Sequence, residues 1–411
     1  MNCDTAAAIS LLNAGAVRTR AKHLLKLGLE DKLPNFRVDL GRLGDTLDLV
    51  VATMRKKYPT LEVPFHSRWR HFVVDGVNRF DSLARSAVST ERLARARATF
   101  DLAIVSVLLD AGAGPQWRYR DAATGKSFGR SEGLALASLD MFARGAFSSD
   151  MKDPLRADAA VLAKLEAEEL QRGFQVTNAN PLVGLEGRAE LLRALGRHSA
   201  ARPDIFARND RPRPGGLFDH LVAKTNDGSI AAPLILAELL LQFGPIWPSR
   251  LTLGGVSLGD CWRHSAIVTS DSTSNLVPLH KLSQWLAYSL IEPLQQAGLT
   301  VTDIDGLTGL AEYRNGGLFV DTDVLTLRDA KQAAREHDVG SELVVEWRTL
   351  TVALLDLLAD AVRGRLKLDA TVLPLAKVLE GGSWAAGRAI AFARRADGAP
   401  PIKVISDGTV F

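Results

Sequence analysis

Apolar residues recur at helical spacing along most of this 411-residue chain, whereas the alternating pattern of β-strands is almost absent. After Asp45, for example, Leu47, Val50, Val51 and Met54 share one face of a helix, because residues three and four apart lie side by side. The chain also lacks the alternation of strands and helices that builds parallel sheets. The pattern therefore predicts a mainly α fold.

Two predicted helices begin at clear capping signals. Asp153–Pro154 and Asn180–Pro181 each place a capping residue before a proline at the first helical position. We expect the first of these helices to end at Gln171 and the second at Gly196. Further helices are predicted after Asp45 and Thr90 and near residues 6–27, 131–143, 230–243, 278–292, 340–363 and 369–379.

Strand signals are confined to two short hairpins. One is predicted near residues 116–129, around a Thr-Gly turn, and a second at 402–411 around Asp407-Gly408. A Pro/Arg-rich stretch at 208–216 is either a flexible connection or an ordinary surface loop. At roughly 150 residues per domain, length alone predicts two to three domains.

Composition excludes several classes of protein. The 50 basic residues nearly balance the 47 acidic ones, which argues against a dedicated nucleic-acid binder. Two cysteines are too few for a disulfide-stapled scaffold, and the first residues carry no signal-peptide pattern. The apolar stretch 230–243 contains Glu238 and is too short to cross a bilayer. We expect a cytoplasmic protein that does not bind membranes.

Two segments combine aromatic and charged side chains. In residues 65–72, Trp69, Arg70 and His71 can offer a stacking face beside anion-binding groups, or a tryptophan packed at a helix junction. In the segment that begins at Arg130, Glu132 suits either a site or a helix N-terminus.

Three later segments carry further candidates. Trp247, Asp260 and Trp262 lie in Gly/Pro-rich stretches. These stretches can line a pocket or fill the core. On a helix, Gln284 joins one polar stripe, while Lys281 and Trp285 form the next; such a face is a surface or a polar cavity wall.

The stretch 306–317 is the richest in chemistry. It places Glu312, Tyr313, Arg314 and Asn315 in succession beside glycines, as either a ligand site or a charged turn. Burial would raise the pKa of Glu312, as is common for catalytic acids and bases. Standard nucleotide-binding, metalloprotease and serine-hydrolase motifs are absent, so we predict neither a metal nor an organic cofactor.

In order and spacing, nine segments of the chain resemble the uracil-catabolism family called Urc four / Urg three. The segments are Arg68–Phe72, Val107–Gly114, Arg130–Leu134, Gly173–Val176, Asn180–Arg188, Pro245–Ser249, Leu258–Asp260, His280–Trp285 and Leu307–Gly317. Since they span nearly the whole chain, the resemblance favours a single helical unit over residues 1–411.

A second resemblance covers about a tenth of the chain. Lys281–Trp285 and Leu307–Arg314 are similar to two segments of the queuosine 5′-phosphate N-glycosylases. Those all-helical enzymes resemble helix-hairpin-helix DNA glycosylases and hydrolyse the N-glycosidic bond of a nucleotide. The likeness implies a similar fold and chemistry here, although Glu312 replaces their aspartate.

The uracil-catabolism resemblance implies a pathway that converts uracil to its ribonucleotide, opens the ring and later releases urea. We interpret the chain as an N-glycosyl hydrolase that cleaves a ribosylurea 5′-phosphate to urea and a sugar phosphate. A ring-opening or ureide amidohydrolase, and a non-catalytic helical scaffold, stay open as alternatives. The expected partner is a small phosphorylated, nucleoside-derived substrate, and the oligomeric state is left open.

On this interpretation Glu312 stabilises the oxocarbenium-like state and takes a proton from water. Asp260 is the second candidate for catalysis. The expected substrate contacts are Lys281 and Arg314 to the phosphate, Gln284, Asn315 or Asp260 to the urea group, Trp69, Trp247 or Trp285 as an aromatic floor, Arg70 or His71 to the leaving carbonyl, and Tyr313 and Glu132 beside them.

Overall fold

The computed structural model describes residues 3–87, 91–207, 211–247 and 251–405. Helices dominate these residues, and strands occur only in pairs, which confirms the mainly α prediction. A π-helical turn, Leu379–Ser383, joins the last two helices. The α-helices are α1 Cys3–Ser10, α2 Ala14–Leu29, α3 Leu43–Lys57, α4 Arg79–Ala87, α5 Arg92–Leu108, α6 Arg130–Ala143, α7 Ala159–Leu162, α8 Ala167–Gly173, α9 Leu185–Ala201, α10 Pro203–Phe206, α11 Leu217–Val222, α12 Ala232–Phe243, α13 Lys281–Gln296, α14 Tyr313–Asp321, α15 Glu342–Leu366, α16 Leu375–Val378 and α17 Trp384–Arg394.

All strands in the described ranges are two or three residues long and pair two by two. The antiparallel pairs are β1 Phe36–Val38 with β12 Leu325–Leu327, β2 Val73–Val74 with β3 Val77–Asn78, β4 Tyr119–Arg120 with β5 Ser127–Phe128, β7 Thr252–Leu253 with β8 Val256–Ser257, and β9 Cys261–Arg263 with β10 Leu276–Pro278. The parallel pairs are β6 Ser229–Ala231 with β11 Thr300–Thr302, and β13 Glu336–Asp338 with β14 Lys403–Ile405.

The hairpin predicted near 116–129 is confirmed by β4 and β5, with Tyr119 opposite Phe128. The C-terminal hairpin has a different outcome. Its first arm is β14, which pairs in parallel with β13 rather than with a neighbouring strand. The turn predicted at Asp407-Gly408 lies outside the described residues, as do the Thr90 cap and residues 208–210 of the Pro/Arg-rich stretch.

Three helices form the centre of the molecule. Residues 98–108 of α5, 282–291 of α13 and 343–355 of α15 are buried on every side. A helix that is apolar nearly all round must be covered by other elements, as expected for the second half of α5. One hydrophobic cluster contains residues from Leu12 to Ile402. The division of the chain into domains stays a prediction.

The helix predicted from Asp153 to Gln171 is wrong. Residues 153–158 are not helical, and the shorter helices α7 and α8 follow them. The cause is a buried ion pair in which Arg156 Nε donates to Asp158 at 2.7 Å. Asp158 also accepts from the backbone and side chain of Ser149. The Ala157 N–H also donates to Asp101 at 2.9 Å, 56 residues away in the chain, and these contacts together outweigh the local capping signal.

The second proline-capped helix also differs from its prediction. It begins at Leu185, because the Asn180 side chain does not cap it but donates to the carbonyls of Arg118 and Gln175. It continues through Gly196 to Ala201. A Cβ at Gly196 would lie 2.2 Å from the backbone nitrogen of Ala163, so this glycine permits close packing against α7 and does not end the helix.

Two other predicted helices are interrupted or shortened. The helix expected at 6–27 is two helices, because Asn13 caps α2 by accepting from the Ala16 N–H at 2.9 Å. The helix expected at 369–379 begins only at Leu375, since the Asp369 carboxylate folds the preceding residues into a turn by accepting from Thr371 and Val372.

Candidate active site

The N-termini of α6, α13 and α14 meet at a cavity of about 350 Å³. The α5–α6 loop and the chain segment 397–400 complete its walls. Its charged and aromatic lining residues are Asp110, Glu132, Glu312 and Asp397; Arg130, Lys281, Arg314 and Arg388; and His66, His71, Trp285, Tyr313 and Trp384. This volume lies in the range of small-molecule sites, and both signs of charge converge on it.

Glu312 is the N-cap of α14. Its backbone is extended, and its two carboxylate oxygens accept from the N–H groups of Arg314 at 2.7 Å and Asn315 at 2.6 Å. The sequence folds this way because a carboxylate satisfies the otherwise unpaired N–H groups of a helix start. Burial nevertheless raises the pKa of Glu312, against the opposing effect of those N–H groups and of Lys281. This is the direction of the pKa shift that the sequence predicts for a buried Glu312.

Lys281 is the first residue of α13 and interacts electrostatically with two carboxylates of the cavity lining. Its backbone N–H donates to Asp260 at 2.8 Å, while its Nζ makes no hydrogen bond or ion pair with the described residues. Burial lowers the pKa of this lysine, and the nearby charges of Asp110 and Glu312 oppose that change. A buried ammonium group in this position is suited to proton transfer.

Asp110 brings a buried ion pair to the cavity wall. Its Oδ2 lies 3.0 Å from Nη1 of the fully buried Arg68, and its enclosed Oδ1 has no hydrogen-bond partner among the described residues. Burial alone would raise the pKa of Asp110, but the charge of Arg68 brings it below the ordinary value. Asp110 therefore stays ionised and supplies negative charge next to Lys281.

Two arginines of the cavity lining form no ion pair with the described carboxylates. Arg130 opens α6 in the left-handed backbone region, at φ 54°, and forms no ion pair within the described ranges. Arg314 donates to the Gly398 carbonyl at 2.8 Å and lies over the Tyr313 ring. Positive φ is unfavourable for arginine, so the fold holds the Arg130 backbone in this conformation at a cost of roughly 1 kcal/mol or more. The surplus cations favour an anionic ligand group.

Arg388 has a different environment from these two arginines. It pairs with Glu132 at 2.9 Å and lies over the Trp384 ring. The start of α6, from which Glu132 projects, has no side-chain cap. Its N–H groups and the helix dipole therefore add to the positive potential at this end of the cavity.

Trp285 forms part of the aromatic wall. Its ring centroid lies 4.6 Å from that of His66 and 5.9 Å from that of His71. His66 contacts the Glu380 carboxylate through Nδ1 at 2.9 Å, and Glu380 belongs to the π-helical turn. π-Helical turns are often found at functional sites.

Asp260 does not line the cavity. Arg348 donates to both of its oxygens, at 2.9 and 2.8 Å, and the Trp262 indole donates to it at 2.6 Å. Burial opposes ionisation, but these partners bring the pKa of Asp260 well below its ordinary value. Since the Lys281 N–H also binds it, Asp260 has little capacity left for a substrate.

Five other candidates from the sequence also lie outside the cavity lining. Gln284 is hydrogen-bonded to Thr308 on both sides of its amide, and the Asn315 amide contacts the Leu310 carbonyl and Ser383. The other three pack or pair elsewhere: Trp69 donates to the Ser289 carbonyl, Arg70 pairs with Glu292, and Trp247 packs against the hydrophobic core.

The structure brings together residues that the sequence reasoning did not select. Asp110 and Arg130 lie within two of the segments that carry the family resemblance, and this position is the sequence signal that marks them. Trp384 and Arg388 come from α17, which carried no such signal. α17 packs tightly on α14, since a Cβ at Gly387 would lie 2.1 Å from the Arg314 carbonyl oxygen.

Two general properties concern the whole described part of the chain. None of its helices combines the length and the apolar character needed to cross a bilayer. No group of three or more His, Cys, Asp or Glu side chains in it is arranged to hold a metal ion.

The fold and the site define a mainly α-helical protein with a cavity in which carboxylates, cations and aromatic rings converge. The chain belongs to the family described as "Protein of unknown function (DUF1688)", which matches residues 10–411. It is 41% identical over 421 residues to Protein urg3 of Schizosaccharomyces pombe, with 100% of both chains covered. It is 38% identical over 409 residues to Uracil catabolism protein 4 of Lachancea kluyveri, with 92% of each covered. The predicted family is confirmed.

Proposed function

We propose that this protein acts in uracil catabolism and hydrolyses the N-glycosidic bond of a ribosylurea 5′-phosphate in the cavity. The name of the relative Uracil catabolism protein 4 supports the pathway. One observation carries the reaction: Glu312, a carboxylate with a raised pKa, is fixed at a helix start in a cavity that also holds unmatched cations. Such a carboxylate can stabilise an oxocarbenium-like state beside a bound sugar phosphate.

In the proposed reaction the bond between C1′ and the urea nitrogen breaks, and its electron pair goes to nitrogen. The oxygen of a water molecule forms the new bond to C1′. Glu312 stabilises the positive charge at C1′ and takes a proton from the water. Lys281 protonates the departing nitrogen and then recovers its proton from Glu312, so water and substrate give urea and ribose 5-phosphate.

The phosphate is assigned to the arginine side of the cavity. Lys281 was the candidate from the sequence, but it lies beside Asp110 and Glu312, whose charges offset its own. Arg130 and Arg314 form no ion pair with the described carboxylates, and the uncapped start of α6 adds N–H donors. Guanidinium groups at a helix N-terminus are well suited to a phosphate dianion.

The alternatives differ from this proposal in ways that can be measured. A non-catalytic scaffold predicts no cavity with convergent charge, so the cavity lining favours an enzyme. A ureide amidohydrolase would cleave a bond to the urea carbonyl and release ammonia. Hydrolysis at C1′ instead releases intact urea.

The test is incubation of the full-length protein with ribosylurea 5′-phosphate that carries ¹³C in the urea carbonyl. We expect ¹³C-urea and ribose 5-phosphate in equal amounts. Glu312→Gln should lower kcat by about 10²–10⁴-fold, because it removes the proton acceptor and keeps the shape. The exposed Glu62→Gln is the matched control. Release of ammonia, or a parental rate from Glu312→Gln, would contradict the proposal.

A further inference from the structure

Two histidines lie on the Trp285 side of the cavity and contact the same indole ring. Their ring centroids are 4.6 Å (His66) and 5.9 Å (His71) from that of Trp285. In both rings Nδ1 has a charged partner, and Nε2 makes no hydrogen bond with the described residues. The partner of Nδ1 decides whether Nε2 donates or accepts.

His71 is held as a donor at Nε2. Its Nδ1 lies 3.2 Å from Nη1 of Arg68. Because a guanidinium group has only donors and stays protonated, Nδ1 of His71 must accept this hydrogen bond. Burial and the charge of Arg68 lower the pKa of His71 to about 4, so the ring is neutral near pH 7. Its single proton is therefore on Nε2.

His66 is held in the opposite way. Its Nδ1 lies 2.9 Å from Oε2 of Glu380. Oε1 of Glu380 also accepts from Lys57 at 2.7 Å and from Tyr58 at 3.1 Å. Burial opposes ionisation of Glu380, but His66 and Lys57 lower its pKa to about 2, so it is a carboxylate and only accepts. Nδ1 of His66 therefore carries a proton, and in the singly protonated ring the Nε2 lone pair is left as an acceptor.

We infer that His66 and His71 form a subsite for a carbamoyl group, in which His71 Nε2 donates to the carbonyl oxygen and His66 Nε2 accepts from an N–H. A carbamoyl group presents one acceptor beside donors in a single plane, which matches one donor and one acceptor on neighbouring rings. That the group is the urea end of the substrate rests on the proposed function. The tautomers of the two rings follow from Arg68 and Glu380 alone.

This subsite gives the two rings a role in specificity. A ligand with the same sugar phosphate but no carbamoyl group would lose both hydrogen bonds and keep its phosphate contacts. A site built to hydrogen-bond a polar group discriminates strongly against ligands that lack it, because its buried partners are then unpaired.

The first test is long-range ¹H–¹⁵N NMR on the full-length protein labelled with ¹⁵N-histidine. Resonances are assigned with His66→Gln and His71→Gln. We expect a protonated Nδ1 and a bare Nε2 in His66, and the reverse in His71. The same tautomer in both rings, or a doubly protonated His66, would overturn the subsite without any use of substrate.

The second test measures binding in the slow Glu312→Gln background. His66→Gln and His71→Gln should each weaken ribosylurea 5′-phosphate by about tenfold, the loss of one hydrogen bond. They should change the affinity for ribose 5-phosphate by less than about twofold, and the exposed His23→Gln is the control. Equal losses for both ligands would overturn the subsite. Failure of the proposed reaction is seen separately, as an absence of urea release by the parent protein.

Discussion

Asp260 and Glu312 are both buried carboxylates that accept from N–H groups at a helix start, and their different further partners give them different capabilities. Asp260 is bound by Arg348, Trp262 and the Lys281 N–H, and its pKa is well below the ordinary value. Among the described residues, the hydrogen-bond donors to Glu312 are backbone N–H groups of its own helix, and burial raises its pKa. A carboxylate whose charge is fully compensated supports the structure, whereas one whose charge is only partly compensated can exchange a proton.

The largest expected effect is a difference in the free energy of unfolding between variants of the two carboxylates. Asp260→Asn should lower the free energy of unfolding by about 3–5 kcal/mol, because it leaves Arg348 buried without its counter-charge. Glu312→Gln should change it by no more than about 1 kcal/mol, the scale of an altered helix cap. Chemical denaturation of both variants measures the difference. A similar loss in both would show that Glu312 is a structural group like Asp260.

The two carboxylates should also respond to pH in opposite directions. Folding lowers the pKa of Asp260, so its contribution to stability is complete above the ordinary aspartate pKa, about 4, and is lost as the pH falls. Folding raises the pKa of Glu312, so ionisation of this buried group costs stability as the pH rises above about 4.3. The stability of Glu312→Gln relative to the parent should therefore rise with pH, and that of Asp260→Asn should fall.

A substitution at Lys281 tests whether the side of the cavity with Asp110 and Glu312 carries out the proton transfers of the reaction. Lys281→Met should lower kcat by about 10²-fold and alter KM little, because it removes the proposed proton donor. The rates are compared for phosphorylated and unphosphorylated ribosylurea, with the exposed Lys22→Met as the control. A rise in KM confined to the phosphorylated substrate would contradict this role and show that Lys281 binds the phosphate.

A substitution at Arg130 tests whether the arginine side of the cavity binds the phosphate. Arg130→Gln should raise KM for ribosylurea 5′-phosphate by about tenfold and have less effect on the unphosphorylated compound, since one charge-assisted contact is lost. Arg70→Gln is the comparison, because Arg70 is bound to Glu292 away from the cavity. If both variants weaken the phosphorylated substrate equally, the phosphate is not bound at the start of α6.

The sequence predicted the elements whose signals are local. The apolar spacing after Asp45 and in 230–243 predicted α3 and α12, and Glu312 lies in the cavity as expected from its neighbours. Arg388 could not be predicted in the same way, because it meets Glu132 across 256 residues of chain. Likewise, the local sequence around Asp153 does not reveal that the Ala157 N–H donates to Asp101, 56 residues earlier in the chain, whereas a helix from Asp153 would need this N–H for its own hydrogen bonds.

Trp69 and Trp285 show the same limit of prediction from local sequence. The smallest effects are expected for substitutions at these two tryptophans. Both were predicted as an aromatic floor, yet Trp69 donates to the Ser289 carbonyl at 2.7 Å in the core, while Trp285 lines the cavity and its Nε1 has no hydrogen-bond partner in the described part of the chain. Trp69→Phe should therefore lower stability by about 1 kcal/mol, the loss of one hydrogen bond, with less effect on KM. Trp285→Phe should raise KM a few-fold because the stacking surface shrinks, with little loss of stability. Denaturation and steady-state kinetics on the two variants test this, and the reverse pattern would place the aromatic floor at Trp69.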